Sequence, residues 1–205
     1  MIESRELLSE AECEDVFARL WTVRHTWIER QDGWMYTLGA ATYLDREPAY
    51  SRLAARCNPV LLAIFADLYE RLAAHVETIS GHPAVYDPAI ALPGFHIFVL
   101  DPALTGQRGQ AHYDLPHQER HWDGPISDPF SLTLAIRLPR AGGGLNWWDG
   151  EEQRHLAYAP GHIYRIGPDV RHQIANEAKL FAGDYRVTLQ AHAVLRSDGR
   201  YLLYF

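Results

Sequence analysis

A strict alternation of polar and apolar residues runs from position 186 to position 192. Its polar members are Arg186, Thr188, Gln190 and His192, and every position between them is apolar. Successive side chains of a β-strand point to opposite faces of a sheet, so this pattern predicts a strand with one polar and one apolar face. We expect the apolar face to meet helices and the polar face to line a water-filled cavity. The chain must therefore fold around a sheet that has two different sides.

Further strands are predicted in the second half of the chain. Residues 95–100 are typical of a strand, and in residues 130–138 large apolar residues alternate with small or polar ones. Ser197-Asp198-Gly199 predicts a tight turn into a last strand at residues 200–205. Short strands separated by Gly and Pro turns favour a closed antiparallel architecture such as the jelly roll.

The N-terminal segment, residues 1–81, predicts helices instead. Ser9 and Glu12 form a capping-box pattern, and a second helix is predicted to begin at Asn58, with Pro59 in its first turn, and to end at Gly81. Apolar residues recur at helical spacing in both segments, namely Cys13, Phe17, Leu20 and Trp21 in the first and Leu61, Ile64, Phe65, Leu68, Leu72, Val76 and Ile79 in the second.

Together these patterns predict an α+β fold with a double-stranded β-helix, a jelly-roll or cupin-like core, and N-terminal helices packed on one sheet. At 205 residues we expect one domain, 1–205. Within it, residues 1–93 are expected to form a mainly helical support and residues 94–205 the double-stranded β-helix core.

Charge and composition exclude several classes of function. The chain has 19 basic and 26 acidic residues, a net charge of −7, and its basic residues are scattered. Nucleic-acid binding requires a basic patch, so we expect neither nucleic acid nor an anionic membrane as a partner. Two cysteines cannot build a disulfide scaffold. The N-terminus lacks a secretory signal and no segment of about 18 apolar residues occurs, so a cytoplasmic protein is expected.

Eight of the 11 histidines lie after residue 95, and two of them form a candidate metal site with an aspartate. His112 and Asp114 are two positions apart, so in an extended segment both side chains can reach one ion. His172, which lies 58 positions after Asp114, is the best candidate for a third ligand. Two histidines and one carboxylate on one face of an octahedral ion leave three positions open, the arrangement used by non-haem Fe(II) oxygenases.

Arg186 strengthens this interpretation because it lies 14 positions after His172, on the polar face of its strand. A guanidinium there can pair bidentately with the remote carboxylate of a metal-bound 2-oxo acid. The set His112, Asp114, His172 and Arg186 resembles the pattern of the Fe(II)/2-oxoglutarate-dependent dioxygenases, which is H-x-D, a second His roughly fifty to seventy residues on and an Arg about ten to fourteen residues later. Residues 142–150 are similar to the family's Gly-Gly-x-Leu turn, and the resemblance covers about residues 94–205.

The resemblance implies Fe(II), 2-oxoglutarate and O₂ as cofactor and co-substrates. It implies that His112, Asp114 and His172 are the metal ligands. It also implies that Arg186, helped by the Thr188 hydroxyl, binds the distal carboxylate of 2-oxoglutarate. The implied reaction hydroxylates an unactivated C–H bond and releases succinate and CO₂. Halogenating members have a small residue in place of the carboxylate, so Asp114 favours hydroxylation or a related desaturation or cyclisation.

Four residues are candidates for substrate contacts: Arg137, Trp148, His96 and Gln190. Arg137 is expected on the polar face of the strand at residues 130–138, where it would hold a substrate carboxylate. Trp148 would wall the pocket. The small size and negative charge of the chain favour an amino acid, a related small metabolite or a natural-product intermediate as substrate.

Alternatives exist for the ligands and for the function. His121 and Asp123 form a second H-x-D pattern, which is disfavoured because it lies in a polar loop that ends in a turn. His162 is another candidate for the distal ligand, but Arg186 would then lie 24 positions after that ligand instead of 14. Two alternative functions remain. The protein could be a non-catalytic jelly-roll protein that binds a ligand, or a cupin-type metalloenzyme that does not use 2-oxoglutarate. Neither of them requires a buried arginine near the metal.

Overall fold

The computed structural model of the chain describes residues 2–31, 33–101, 109–175 and 181–205. Its helices are α1 (Glu10–Thr22) and α2 (Ala49–Ser80), with short 3₁₀ turns at Arg24–Thr26 and Pro116–Gln118. Its strands are β1 (Ile2–Glu6), β2 (Ile28–Gln31), β3 (Met35–Leu38), β4 (Ala84–Val85), β5 (Gly94–Leu100), β6 (Ile126–Arg137), β7 (Leu145–Asp149), β8 (Glu152–Leu156), β9 (His162–Ile166), β10 (His172–Ile174), β11 (Asp184–Arg196) and β12 (Tyr201–Tyr204).

Within the described residues these strands form two sheets. The large sheet has the order β1-β9-β6-β11-β5-β3-β2, and β12 pairs with both β11 and β4. The small sheet has the order β10-β7-β8. All pairs are antiparallel except β12 with β4. The predicted antiparallel jelly-roll core, with helices on one sheet, is confirmed.

The helices cover one face of the large sheet. Val187, Leu189 and Ala191 of β11 are buried in one apolar cluster together with Leu20 of α1 and Leu61 of α2. Burying a Val or Leu side chain stabilises a fold by about 1.5–3 kcal/mol, so this face contributes much of the hydrophobic stabilisation. The other face of β11 is thereby left for polar side chains.

Helix α1 begins as the sequence predicts. The Ser9 hydroxyl accepts a hydrogen bond from the Glu12 backbone N–H, and the Glu12 carboxylate accepts one from the Ser9 backbone N–H. This capping box satisfies two of the backbone donors that a helix N-terminus leaves without an intrahelical partner.

Helix α2 ends at Gly81 (φ 73°), as predicted, but it begins at Ala49 rather than at Asn58. Asn58 does not cap the helix, because its amide N–H donates to the Ile90 carbonyl and its amide oxygen accepts from the Leu92 N–H. The side chain therefore anchors the segment that leads into β5. In the described part of the chain, no helix is both long and apolar enough to cross a membrane.

Three strands lie within residues 1–81, where the sequence predicts only helices. Strand β1 is almost entirely exposed and forms the edge of the large sheet beside β9, so its sequence carries no alternation that would reveal it. Strands β2 and β3 are four residues each and form a hairpin that extends the large sheet beside β5. Pairing with a preformed sheet edge, rather than a local pattern, decides their conformation.

The connection from β1 to α1 passes close to Gly161. The Gly161 carbonyl accepts hydrogen bonds from the backbone N–H groups of Leu7 (2.8 Å) and Leu8 (3.1 Å). Gly161 has φ +79°, and a Cβ at this position would overlap the Leu8 carbonyl oxygen. Only glycine satisfies both requirements.

We expect Gly161→Ala to destabilise the protein more than Gly199→Ala. Both residues have positive φ, but nothing lies within 4 Å of a Cβ built on Gly199. Gly199→Ala should lower the free energy of unfolding by about 1–2 kcal/mol, because alanine is strained in this backbone conformation. Gly161→Ala should lower it by about 1–3 kcal/mol more, because its Cβ also overlaps Leu8. Denaturant unfolding of the two variants measures the difference, and equal losses would contradict the close approach.

Candidate metal centre

A cavity of about 890 Å³ opens on the face of the large sheet that is opposite the helices. Residues of β3, β5, β6, β9 and β11 line one wall, and residues of β7 and β10 line the other. Arg186 and Gln190 of β11 lie in the first wall. The polar face of β11 therefore borders a cavity, as its alternation predicts.

The candidate ligands meet because two backbone segments pair side by side in the wall of this cavity that contains β10. The His112 N–H donates to the His172 carbonyl (2.9 Å), and the His172 N–H donates to the His112 carbonyl (2.8 Å). Residues that exchange both hydrogen bonds in an antiparallel pair carry their side chains on the same side. Asp114, two positions on, points to that side too.

The donor atoms of these three side chains converge. Oδ1 of Asp114 lies 3.5 Å from Nε2 of His112 and 3.6 Å from Nε2 of His172, and one donor atom of each residue lies within 4.8 Å of the others. Nδ1 of His112 donates to the Gln110 carbonyl, and Nδ1 of His172 donates to the Val170 carbonyl. These bonds orient both rings and leave both Nε2 atoms directed at the carboxylate, as metal-binding histidines require.

Asp114 fits a cation at the centre of this group. Burial alone would raise its pKa, but the adjacent imidazoles of His112, His172 and His192 hold the pKa of this carboxyl well below its usual range. Its Oδ2 atom is buried without a hydrogen-bond partner among the described residues. An ionised carboxylate with an unsatisfied buried oxygen, facing two imidazole nitrogens, is a donor set suited to a divalent transition metal.

Arg186 lies in the same cavity and is 4% exposed. Its guanidinium carbon is 5.6 Å from the centroid of the Phe98 ring and 5.7 Å from that of Tyr158. Two aromatic faces therefore hold the planar cation in place. Thr188, the next residue on the same face of β11, is fully buried, and its hydroxyl has no hydrogen-bond partner in the described part of the chain.

No family model and no curated protein matches the sequence of the chain. Its structure, however, is similar to several solved structures. An N-substituted L-amino acid dioxygenase from Burkholderia ambifaria AMMD, in complex with alpha-KG, is similar with a TM-score of 0.58 at 11% identity over 100% of this chain and 86% of that one. An oxidoreductase of the 2OG-Fe(II) oxygenase family from Burkholderia pseudomallei has a TM-score of 0.55 at 16% identity, over 97% and 86%. The epimerase SnoN, in complex with Fe³⁺, alpha ketoglutarate and nogalamycin RO, has 0.53 at 12%, over 93% and 77%. The chain has the fold of the 2-oxoglutarate-dependent Fe(II) oxygenases.

Arg137 lies on the face of β6 that packs against the helices, so its side chain does not reach the cavity. The register against β11 shifts by one residue, so that Ala135 pairs with Thr188 whereas Arg137 pairs with Val187. This β-bulge inserts an extra residue and ends the alternation of β6. Arg137 consequently stacks on Phe17 of α1, with 4.4 Å between its guanidinium carbon and the ring centroid. The predicted contact with a substrate carboxylate is wrong, because the alternation does not continue through the bulge.

Trp148 also lies away from the cavity. It is adjacent in β7 to Trp147, which pairs with His172, and so it occupies the opposite face of the small sheet. The Arg171 guanidinium covers its ring at 4.9 Å. The prediction that Trp148 walls the pocket is therefore wrong, since the sequence does not reveal which face of this short strand points inward.

The other candidate residues are placed as follows. Both His96 and Gln190 line the cavity, and the Thr133 hydroxyl donates to the Gln190 amide oxygen. His121 and Asp123 lie in an exposed loop away from the three converging side chains. His162 begins β9 and pairs with Glu6 of β1 at the sheet edge.

A buried ion pair in the N-terminal segment borders the cavity and was missed by sequence reasoning. Arg30 of β2 binds Asp45 bidentately, with distances of 2.6 and 2.7 Å, and the exposed fractions of the two side chains are only 9% and 6%. Asp45 also accepts from the Ala41 N–H, so the pair holds the loop that carries Tyr43 at the cavity. The one available signal was Asp45 itself, which ends an uncharged run from residue 33 to residue 44.

Tyr43 and His96 form a second polar contact on this wall. The Tyr43 hydroxyl lies 2.6 Å from Nε2 of His96 in a hydrogen bond. Burial lowers the pKa of His96 to about 3, and the nearby Arg186 adds to this shift. The imidazole is therefore neutral at physiological pH.

We expect acid to destabilise the protein partly through His96. Its pKa is lowered from 6.5 to about 3 in the folded state, so the unfolded chain binds a proton that the folded chain does not. Stability is fully present above pH 6.5 and falls as the pH decreases towards 3. His96→Gln should lose less stability between pH 7.5 and pH 5 in denaturant unfolding than the native protein. A pH dependence in His96→Gln equal to that of the native protein would contradict the prediction.

We expect Asp45→Asn to destabilise the protein strongly. Removing one partner of a buried pair leaves an uncompensated charge and costs about 3–5 kcal/mol, whereas the double variant Arg30→Met/Asp45→Leu should lose less. The exposed pair of Arg154 and Asp149 provides the control, because Asp149→Asn should cost less than about 1 kcal/mol. Denaturant unfolding checks all three variants. Similar losses in Asp45→Asn and Asp149→Asn would show that the buried pair does not hold the loop.

Proposed function

We propose that the protein is an Fe(II)- and 2-oxoglutarate-dependent oxygenase. The observation that carries this proposal is the meeting of His112, Asp114 and His172 in one cavity that also contains the buried Arg186. A cation beside a metal site is what a metal-bound 2-oxo acid with a second carboxylate requires. The similar oxygenase structures support the same class.

The metal would be held by Nε2 of both histidines and by the Asp114 carboxylate. Hydrogen bonds from each Nδ1 to a backbone carbonyl keep the rings oriented for this role. The chemistry that iron supplies there is activation of O₂, coupled to oxidation of 2-oxoglutarate to succinate and CO₂. Three protein ligands leave positions open for 2-oxoglutarate and O₂.

Arg186 would bind the distal carboxylate of 2-oxoglutarate. It is held between Phe98 and Tyr158 and shielded from water, so a charge-assisted hydrogen bond there is stronger than at the surface. The buried Thr188 hydroxyl, which lacks a partner among the described residues, is the second contact that we propose.

The reaction that we propose is hydroxylation of an unactivated C–H bond in an amino acid, a small metabolite or a natural-product intermediate. Asp114 occupies the position that a halogenating site would leave open for chloride, so its carboxylate favours transfer of a hydroxyl group. The apolar wall of the cavity would exclude bulk water from the reacting atoms.

The decisive measurement is succinate formation from 2-oxoglutarate in the presence of Fe(II) and O₂. His172→Ala should abolish it because the metal loses a ligand. Arg186→Met should raise the KM for 2-oxoglutarate by roughly 30-fold or more, since removing one partner of a buried charge pair costs about 2–5 kcal/mol.

Arg137→Met is the matched control for the loss of an arginine. Arg137 pairs with Glu14 on the helix side of β6, so its KM for 2-oxoglutarate should stay native. Absence of 2-oxoglutarate turnover, together with absence of a thermal shift on adding 2-oxoglutarate and Mn(II), would overturn the proposed function. Unchanged kinetics in Arg186→Met would overturn the role of this residue alone.

A further inference from the structure

The mouth of the cavity exposes several large apolar side chains, beside the carboxylate of the exposed Glu119. Among the described residues five large apolar side chains are exposed, and three of them, Tyr43, Leu44 and Tyr113, line this cavity. Exposed apolar side chains scattered singly need no explanation, but a group that converges on one opening indicates a binding surface.

The apolar surface continues inward from this rim. Trp34, Met35 and Phe98 form a buried cluster that Ile174 packs against, and all four residues also line the cavity. Large ligand sites are lined mainly by such side chains, with a few polar groups that set orientation. At about 890 Å³ the cavity has room for 2-oxoglutarate and a second molecule, since sites for drug-sized ligands measure about 300–1,000 Å³.

The charges that line the cavity do not suit an anionic substrate. In the described part of the lining, the two cations are Arg30 and Arg186. Asp45 neutralises Arg30, and two further N–H groups of Arg30 donate to the Thr37 hydroxyl and the Gly39 carbonyl. Arg186 is assigned to 2-oxoglutarate. Among the described lining residues, a substrate carboxylate would thus be desolvated without a cationic partner, which is strongly unfavourable.

Uncharged polar pairs also line the cavity, one formed by Thr133 and Gln190 and another by Tyr43 and His96. The hydroxyl of Tyr43 and the imidazole of His96 are hydrogen bonded to each other and both line the cavity. Together they offer a hydrogen-bonding group to a ligand hydroxyl or carbonyl without adding charge.

We propose that the substrate is an uncharged small molecule with a ring-shaped or branched apolar skeleton, bearing a hydroxyl or carbonyl group, and that Tyr43, Leu44 and Tyr113 contact it. This proposal rests on the proposed function, because that function commits Arg186 to 2-oxoglutarate. It selects a neutral metabolite or natural-product intermediate over a free amino acid, whose carboxylate the described lining does not bind.

The test compares two ligands of the same bicyclic skeleton, 2-naphthol and 2-naphthoate. Each is titrated by calorimetry at pH 7 into the full chain loaded with Mn(II) and saturating 2-oxoglutarate. We expect 2-naphthol to bind at least about tenfold more tightly, because the carboxylate must lose its hydration without a counter-charge. Equal or tighter binding of 2-naphthoate overturns the proposal.

Two charge-introducing variants locate the binding site. Leu44→Arg places a cation at the rim and should raise the affinity for 2-naphthoate by about tenfold. Leu62→Arg adds the same charge at an exposed position of α2 outside the cavity, so its affinities should match the native ones. Equal effects of the two variants would overturn the assignment of the rim.

The remaining outcomes are also decisive. If neither naphthalene ligand binds while an uncharged blocked tetrapeptide does, a peptide is the substrate and the proposal is overturned. If 2-naphthol binds with the expected preference but no succinate forms from 2-oxoglutarate under any condition, the apolar site stands and the oxygenase function fails. Succinate formation with no preference for the neutral ligand leaves the oxygenase function standing and overturns this inference.

Discussion

The pairing of β11 between β6 on one side and β5 on the other is the constraint on which the rest of the structure depends. A strand hydrogen bonded along both edges cannot rotate, so its two sets of side chains are committed to opposite faces. Its apolar set is buried under α1 and α2, and Arg186 and Gln190 of its polar set line the cavity. The hydrophobic stabilisation of one face thus holds Arg186 rigidly on the other.

The candidate metal centre follows from a second pairing, which lies beside the small sheet rather than within the large one. His112 and His172 are 60 positions apart in the chain, but a two-way backbone hydrogen bond makes them direct neighbours. Their rings are then oriented by the carbonyls of Gln110 and Val170. The backbone pairing and these carbonyl contacts therefore orient the donor groups as part of folding.

The cavity has two ends with different chemistry. One end contains His112, Asp114, His172 and Arg186, which suit a metal and a dianionic co-substrate. The other end is built largely by β3 and the loop after it, where Arg30 and Asp45 neutralise each other and apolar side chains form the rim. The N-terminal segment, which the sequence predicts to be a mainly helical support, contributes part of this wall.

Local patterns were sufficient for several features. The capping box of α1, the Gly81 end of α2 and the alternation of β11 each depend on interactions between near neighbours in the chain, and all are found as predicted. The start of α2 was predicted wrongly because Asn58 bonds to Ile90 and Leu92, which lie 32 and 34 positions further along the chain. The spacing of apolar residues along the sequence does not reveal a hydrogen-bond partner that lies so far along the chain.

The sequence by itself determined the residue types, order and spacing of the candidate site and the two-sided character of β11. Only the tertiary structure decided which side chains reach the cavity. A bulge opposite Val187 turns Arg137 towards α1, sheet pairing places Trp148 outside, and a buried ion pair between Arg30 and Asp45 places Tyr43 at the mouth. Hydrogen bonding and burial between distant segments outweigh local preference at these positions, because each contact exists only after the sheets have closed.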